Sequence, residues 1–397
     1  MRFPGFEGEW ELRALNEISA KITDGTHDTP RAISNGIPYL TAIHIKDGKI
    51  DYENCYFISP EVHKQIYSRC NPELGDLLIV NIGAGTATCA LNTVSYEFSL
   101  KNVALVKPRK YIIDPCFLEQ YQRNQSKKIF KQLTSGGAQP FLSLREIGKL
   151  KIRYPSLTEQ QKIGSILSLL DKRMSTQSKI IGEIKSLKDV IVTKIFTKRL
   201  KFKAENEDDF NEWQTKNLGE LTYVVNKRNK KNENLPVYSI NNKIGFVPQG
   251  DQFEGVDSNE RGYDLKIYKV IEKETFAYNP ARINVGSIGY SRNLNNVIIS
   301  SLYVCFKTTA NVNDEFFFQY LKTDFFNKQV LENMEGGVRS YLFYENFSRI
   351  TMDLPSLSEQ QKIVALLKSL DKKIEIETKI VNQLTVQKQY FLSNLFI

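Results

Sequence analysis

Two stretches of the chain carry apolar residues at an alternating four-and-three spacing. In the first, Ile163, Leu167, Leu170, Met174, Ile181, Ile184 and Ile191 form the stripe, and polar Gln177 and Lys188 complete it. In the second, Ile363, Leu367, Leu370, Ile374, Val381, Leu384 and Phe391 repeat it, with interruptions at Glu377 and Lys388. About four heptads in one phase predict a long helix with a coiled-coil seam. Pro-Ser-Leu opens both stretches. Ser156 or Thr158, and Ser356 or Ser358, stand as N-caps before Glu159 and Glu359. Each helix would run about 38–40 residues, or roughly 60 Å at 1.5 Å per residue. Such a helix could lie on its own domain alone, but the stripe is narrow for that, and the two helices are natural partners. Gln177 and Glu377 sit midway along their stripes and meet at the centre in either orientation. A closed two-fold arrangement favours antiparallel pairing, with the rest of each half at opposite ends.

The two stretches are copies. Residues 155–174 and 355–374 are identical at twelve of twenty positions, at an offset of 200. Upstream, Gly136-Gly137-Ala-Gln-Pro-Phe-Leu142 faces Gly336-Gly337-Val-Arg-Ser-Tyr-Leu342. Near the start of each half, Trp10 with Leu15-Asn-Glu17 matches Trp213 with Leu218-Gly-Glu220. The intervening sequences diverge. A period near 200 residues is too long for a solenoid. The chain therefore reads as a variable block at 1–154, a helix and linker at 155–204, a second variable block at 205–354 and a second helix at 355–397.

The variable blocks read as mixed α/β, so the fold class is α/β (α+β) with two tandem domains. Strand-like runs are Leu77–Val80, Val103–Val106, Val297–Ser300 and Leu302–Phe306. Helical stretches follow at Pro115–Gln125 and Asp314–Asn333. The charged, aperiodic segment from Lys203 to Phe210 marks the join between halves.

Composition excludes several classes. Apolar residues make up 41% and charged residues 25%, as in an ordinary globular protein. No apolar run approaches the ~20 residues of a membrane span, and the first ten residues do not resemble a signal peptide. The five scattered cysteines, with no CxxC, point to a reduced cytoplasm rather than a disulfide framework or a zinc site. Lys and Arg total 54 against 45 Asp and Glu, a net charge of +9 that admits an acidic partner, nucleic acid first. The charge is uneven. Residues 1–155 carry +4, 156–204 carry +7, 205–355 carry −4 and 356–397 carry +2. Much of the excess lies on the first helix and its tail, so the acidic second block would hold DNA through local patches.

No catalytic constellation is present. Val80-Asn-Ile-Gly83-Ala-Gly85-Thr-Ala-Thr88 lacks the third glycine and the helix of a dinucleotide loop, and reads as a tight strand-to-strand turn. Asn279-Pro280 is not followed by the Pro-aromatic pair of an adenine methyltransferase. His27, His44 and His63 have no partner at ligand spacing. The candidates for DNA contact lie in polar, turn-rich segments, where recognition concentrates. They are Thr26, His27 and Arg31; Asn81 and Thr86; Gln139; the run Lys227, Arg228, Lys230 and Lys231; and Arg282, Arg292, Arg339 and Tyr341.

Two diverged blocks separated by near-identical Pro-Ser-Leu-[Thr/Ser]-Glu-Gln-Gln-Lys-Ile helices resemble the specificity (S) subunit of bacterial type I restriction-modification systems. The likeness covers the whole chain and includes Gly75–Val80 and Ala281–Gly286. It implies a non-catalytic subunit that reads a bipartite, asymmetric target in double-stranded DNA, one half-site per domain. It implies that the helices form an antiparallel coiled coil that spaces the domains. It also implies two modification (M) subunits that use S-adenosylmethionine at adenine N6, restriction (R) subunits that use ATP and magnesium, and a cytoplasmic location. No cofactor is expected on this chain. A reading of another class is a non-catalytic scaffold with tandem protein- or RNA-binding domains.

Overall fold

The computed structural model describes residues 2–83, 85–134, 140–204, 208–252, 262–336 and 340–396. They form two compact units. One comprises Met1–Ile180 with Glu377–Ile397, and the other comprises Ile181–Ile376. Each unit thus contains one variable block and a part of both long helices, which run Leu157–Phe196 and Leu357–Leu395. Among the described residues, no helix is long and apolar enough to cross a membrane.

The two blocks are built to one plan. In the first unit, Glu11–Ala14 pairs antiparallel with Lys151–Tyr154, the strand just before the long helix. A four-stranded antiparallel sheet follows in the order Ser19–Asp24, Val103–Pro108, Leu77–Val80, Cys89–Leu91. In the second unit, Gln214–Asn217 pairs with Thr351–Leu354. The matching sheet runs Thr222–Val224, Val304–Thr308, Phe276–Tyr278, Ile288–Tyr290. Each block adds a second, mixed sheet: three strands around Ile37–Thr41 in one, and four around Val237–Asn241 in the other. The turn from Val80 to Cys89 joins neighbouring antiparallel strands, as its glycines predict.

Several element boundaries differ from the sequence reading: the helix at Pro115–Gln125 runs on to Thr134, and the strand at Val103–Val106 runs on to Pro108. The run from Leu302 to Phe306 becomes a strand only at Val304–Thr308. The helical stretch 314–333 breaks into Asp314–Tyr320 and Asp324–Asn333. Thr323 causes that break. Its hydroxyl donates to the Tyr320 carbonyl at 2.7 Å and accepts the Phe326 N–H at 3.2 Å, which caps a new helix instead of continuing the old one.

The stripes face inward along their whole length, but they meet different surroundings. Ile163 and Leu167 lie in the core of the first block with Leu77, Val106 and Phe117, and Leu395 of the second helix joins them. Ile363 and Leu367 lie in the core of the second block with Phe306, Phe316 and Phe347, joined by Ile195 of the first helix. These first positions of each seam therefore serve the domain core as well as the helix pair. Fully burying a side chain of this size is worth roughly 1.5–3 kcal/mol. Leu170 and Leu384 are buried, while Met174, Gln177, Ile181, Ile184, Leu370, Ile374 and Val381 are half-buried and Glu377 is buried.

Within the first unit the helices run antiparallel. Lys388 Nζ reaches Asp171 at 2.5 Å, Thr385 Oγ1 approaches the Met174 sulfur at 3.5 Å, and the Gln177 amide donates to Glu377. Residue numbers rise on one helix as they fall on the other. Within the second unit, Lys188 Nζ meets Asp371 at 2.6 Å in the same sense. The lysines that interrupt the two stripes thus each carry an ion pair to the other helix.

Candidate nucleic-acid interface

In the first block, the segment from Asp24 to Arg31 begins in a tight approach to Leu100. A Cβ on Gly25 would stand 1.9 Å from the Leu100 carbonyl oxygen, so only glycine fits there. Beyond it, the loop is tied down by its own side chains. Thr26 Oγ1 accepts the Asp28 N–H at 3.1 Å. His27 bridges Asp24 at 2.9 Å and Asn102 at 3.1 Å. Arg69 donates to the Gly25 carbonyl at 2.5 Å, and Lys101 donates to Thr29. Thr26 is half-buried, whereas His27 and Arg31 are exposed on this braced loop. Arg69 and Lys101 brace it from elements distant in sequence, and no local motif marks them.

Asn81 and Thr86 stand elsewhere than the sequence reading placed them. Both are buried, at 1% and 2% exposure. The Thr86 hydroxyl donates to the carbonyls of Gly83 at 2.6 Å and Pro140 at 3.0 Å, which holds the glycine turn shut. The Asn81 backbone carbonyl accepts from Leu142 N–H at 2.8 Å. These two residues fasten the turn and do not face outward. The exposed residue at this spot is Phe141, whose backbone bridges to Ile82. Gln139 lies outside the described residues, as does Arg339.

In the second block, Lys227 pairs with Glu272 at 2.6 Å, while Arg228, Lys230 and Lys231 are exposed around the buried side chain of Asn229. The Asn229 side chain shapes that run into a turn by bonding both the carbonyl and the N–H of Glu233. Arg282 is exposed at the end of the Phe276–Tyr278 strand connection, where Gly286 ends a short helical turn at φ +89°. Arg292 is engaged internally. It grips Glu315 at 2.7 and 3.1 Å and lies over the rings of Tyr290 and Phe318. With Lys243 and Lys322 it lines a cleft of 430 Å³. Tyr341 is half-buried and stacks on exposed Phe343, with ring centroids 5.7 Å apart. Leu342 N–H donates to the Pro280 carbonyl at 3.0 Å, the counterpart of the Leu142 to Asn81 bond. Both blocks thus present an aromatic residue, Phe141 or Tyr341, beside the same sheet turn. The repeat of Gly-Gly and Leu around them marks Phe141 in the sequence, although its side chain is not a polar donor.

One plan, executed twice with different loops on it, defines a tandem recognition module. The family model for the type I restriction modification DNA specificity domain matches residues 7–186 and again 211–386, and the chain belongs to that family. It is a specificity subunit of the type I restriction-modification class. A Methanocaldococcus jannaschii protein assigned as the MjaX specificity subunit of a type I restriction enzyme is 26% identical over 98% of this chain and 92% of its own length. The MjaIX specificity subunit of the same organism is 21% identical over 92% and 88%. In fold, the chain is similar to the crystal structure of a type I system S subunit from M. genitalium. That TM-score is 0.62 at 17% identity, over 100% of this chain and 97% of that one.

Proposed function

We propose that each variable block reads one half-site of a split, asymmetric duplex DNA target, and that the paired helices hold the two readings at a fixed spacer. The observation that carries this is the duplication itself: two copies of one sheet plan with unrelated loop sequences. Scaffolds of one plan with different loops suit two different sequences read in one binding event. On this reading the chain is non-catalytic and works in the cytoplasm. Two M subunits would supply S-adenosylmethionine chemistry at adenine N6, and R subunits would supply ATP- and magnesium-dependent cleavage.

The outward cations of the candidate set are few. Within the described candidate set, Arg31, Arg228, Lys230, Lys231 and Arg282 are exposed cations, while Lys227 and Arg292, also exposed, are paired with Glu272 and Glu315. The second block and its flanks carry a net −4. Phosphate neutralisation at that block therefore falls to local patches and to partner subunits. Methylome sequencing of a host that carries the chain with its methyltransferase partner tests the reading. A split motif with one spacer length supports it. A continuous motif, or methyl transfer by the chain alone, overturns it.

A further inference from the structure

Each long helix begins with a glutamine that is completely buried, Gln160 and Gln360. The Gln160 Oε1 accepts the Asp114 N–H at 2.8 Å, and its Nε2 donates to the carbonyls of Ile112 at 3.0 Å and Pro155 at 2.8 Å. The Gln360 Oε1 accepts the Asn313 N–H at 2.7 Å, and its Nε2 donates to the carbonyls of Asn311 at 3.1 Å and Pro355 at 2.9 Å. Atom for atom, the two sets are the same. In each, one amide ties the proline two residues before the long helix to the loop that enters the block's own helix, Pro115–Thr134 or Asp314–Tyr320.

We infer that Gln160 and Gln360 are positioning residues that fix the direction in which each recognition block leaves its helix, and thereby the spacer length of the target. This rests on the split-target reading above. Three directional bonds from one rigid amide fix an angle, whereas apolar burial is non-directional and tolerates rocking. Every partner is a backbone atom, so the contact is indifferent to side chains. Ile112 and Asp114 in one block are Asn311 and Asn313 in the other, yet the bonds persist. Such a socket accepts any block of this plan and orients it identically. That is what a duplicated recognition protein with diverging loops requires.

Gly164 sharpens the joint in the first unit. One turn beyond Gln160, a Cβ at this position would lie 2.8 Å from Phe117 N and 3.0 Å from Asp114 Oδ1. It lets helix and block approach within backbone contact.

The test uses the full chain with its methyltransferase partner and maps methylated sites for wild type, Gln160→Met and Gly164→Ala. Methionine keeps the length and burial and removes the three bonds. The glycine variant keeps the bonds and wedges the joint. We expect both half-sites to stay unchanged in each. In Q160M, methylation at targets whose spacer differs by one base pair should rise at least ten-fold relative to the wild-type spacer. In G164A the preferred spacer should shift or broaden. If Q160M does not fold, Gln360→Met, which removes the same three bonds in the second unit, is read in its place. An unchanged single spacer in every folded variant, or altered half-site bases, overturns the inference while leaving the split-target reading intact. A continuous wild-type motif would overturn both.

Discussion

The joint between block and helices is solved twice, and the two solutions differ in kind. Asp114 and Asn313 occupy the same place, since each gives its N–H to the buried glutamine of its unit. Counting on from them, Glu119 stands where the other block has Phe318, and Arg123 stands where it has Lys322. In the first unit, Arg123 binds Asp47 at 2.9 Å, Glu119 at 3.2 Å and Asp171 at 2.7 Å. Asp171 also takes Gln120 at 2.8 Å and Lys388 at 2.5 Å. In the second unit the Lys322 ammonium lies 4.0 Å from the centroid of the Phe318 ring. Its pKa falls to about 8, through burial and the nearby charges of Lys188 and Arg292, although the residue as a whole stays exposed. One fold position can thus be held by a shared ionic hub or by a ring under a cation. The planar fork of arginine serves three carboxylates at once, which a lysine ammonium does less well. An equivalent lysine that has lost those carboxylates needs only an aromatic face.

The largest expected difference follows from that contrast. Arg123→Met leaves three carboxylates, two of them at 7% and 24% side-chain exposure, without their common cation. Removing one partner of a buried charge network costs about 3–5 kcal/mol. Lys322→Met loses a cation–π contact at a partly exposed site, worth roughly 0.5–1 kcal/mol. Chemical denaturation of the full chain should therefore show a large loss for the first and a small one for the second. Equal losses would break the comparison.

A second exchange probes steric fit at the same joint. Gly164 in the first helix is matched by Val364 in the second, and Val364 is buried at 7% exposure. Gly164→Val pushes a branched side chain against the Phe117 backbone and should destabilise by about 1–3 kcal/mol. The mirror change, Val364→Gly, adds no clash and should lose burial plus a helix penalty of about 1 kcal/mol. Tryptophan fluorescence should separate the two. Trp10 and Trp213 sit in different units, and each reports its own block.

How much of this was legible in the sequence depends on the range of the interaction. The seams were legible because a heptad repeat is local and each residue declares its face. Even the interrupting lysines keep the phase, although their Asp partners lie 183 and 217 residues away. The glycine turn was legible as a turn. That Thr86 closes it on Pro140, 54 residues on, was not, so a polar turn residue read as an outward donor. The break at Thr323-Asp324 was written in the sequence as an N-cap pair and was overrun by the apolar pattern around it. Only the i,i+4 pair of Arg123 with Glu119 is local; Asp47 and Asp171 are brought to Arg123 by the fold alone, so the hub could not be read. The glutamines of the repeated Glu-Gln-Gln were visible as a signature but silent about role, since their partners are backbone atoms with no side-chain signal.

A pH-dependent effect is the most diagnostic of the hub. Burial raises the Glu119 pKa to about 7 against the pull of Arg123 and Lys388, with Asp171 pushing the same way as burial. The folded chain therefore holds this proton more tightly than the unfolded chain does. The associated stability is complete below the ordinary carboxyl range and is lost as pH rises to about 7. Asp171 moves the other way. Burial is outweighed there by the Lys388 hydrogen bond and the Arg123 charge, which hold its pKa below the usual range, so its contribution disappears only at more acidic pH. The two windows do not overlap. Glu119→Gln abolishes the first titration and keeps the side-chain volume. From pH 5 to pH 7.5 the wild type should lose about 1–2 kcal/mol relative to this variant, since a full shift of this size is worth at most ~3 kcal/mol. The second unit has Phe318 at this position and supplies no matching term. Parallel stability curves for wild type and E119Q would mean that Glu119 titrates as an ordinary surface carboxylate, and the hub would then be an ion pair of little consequence.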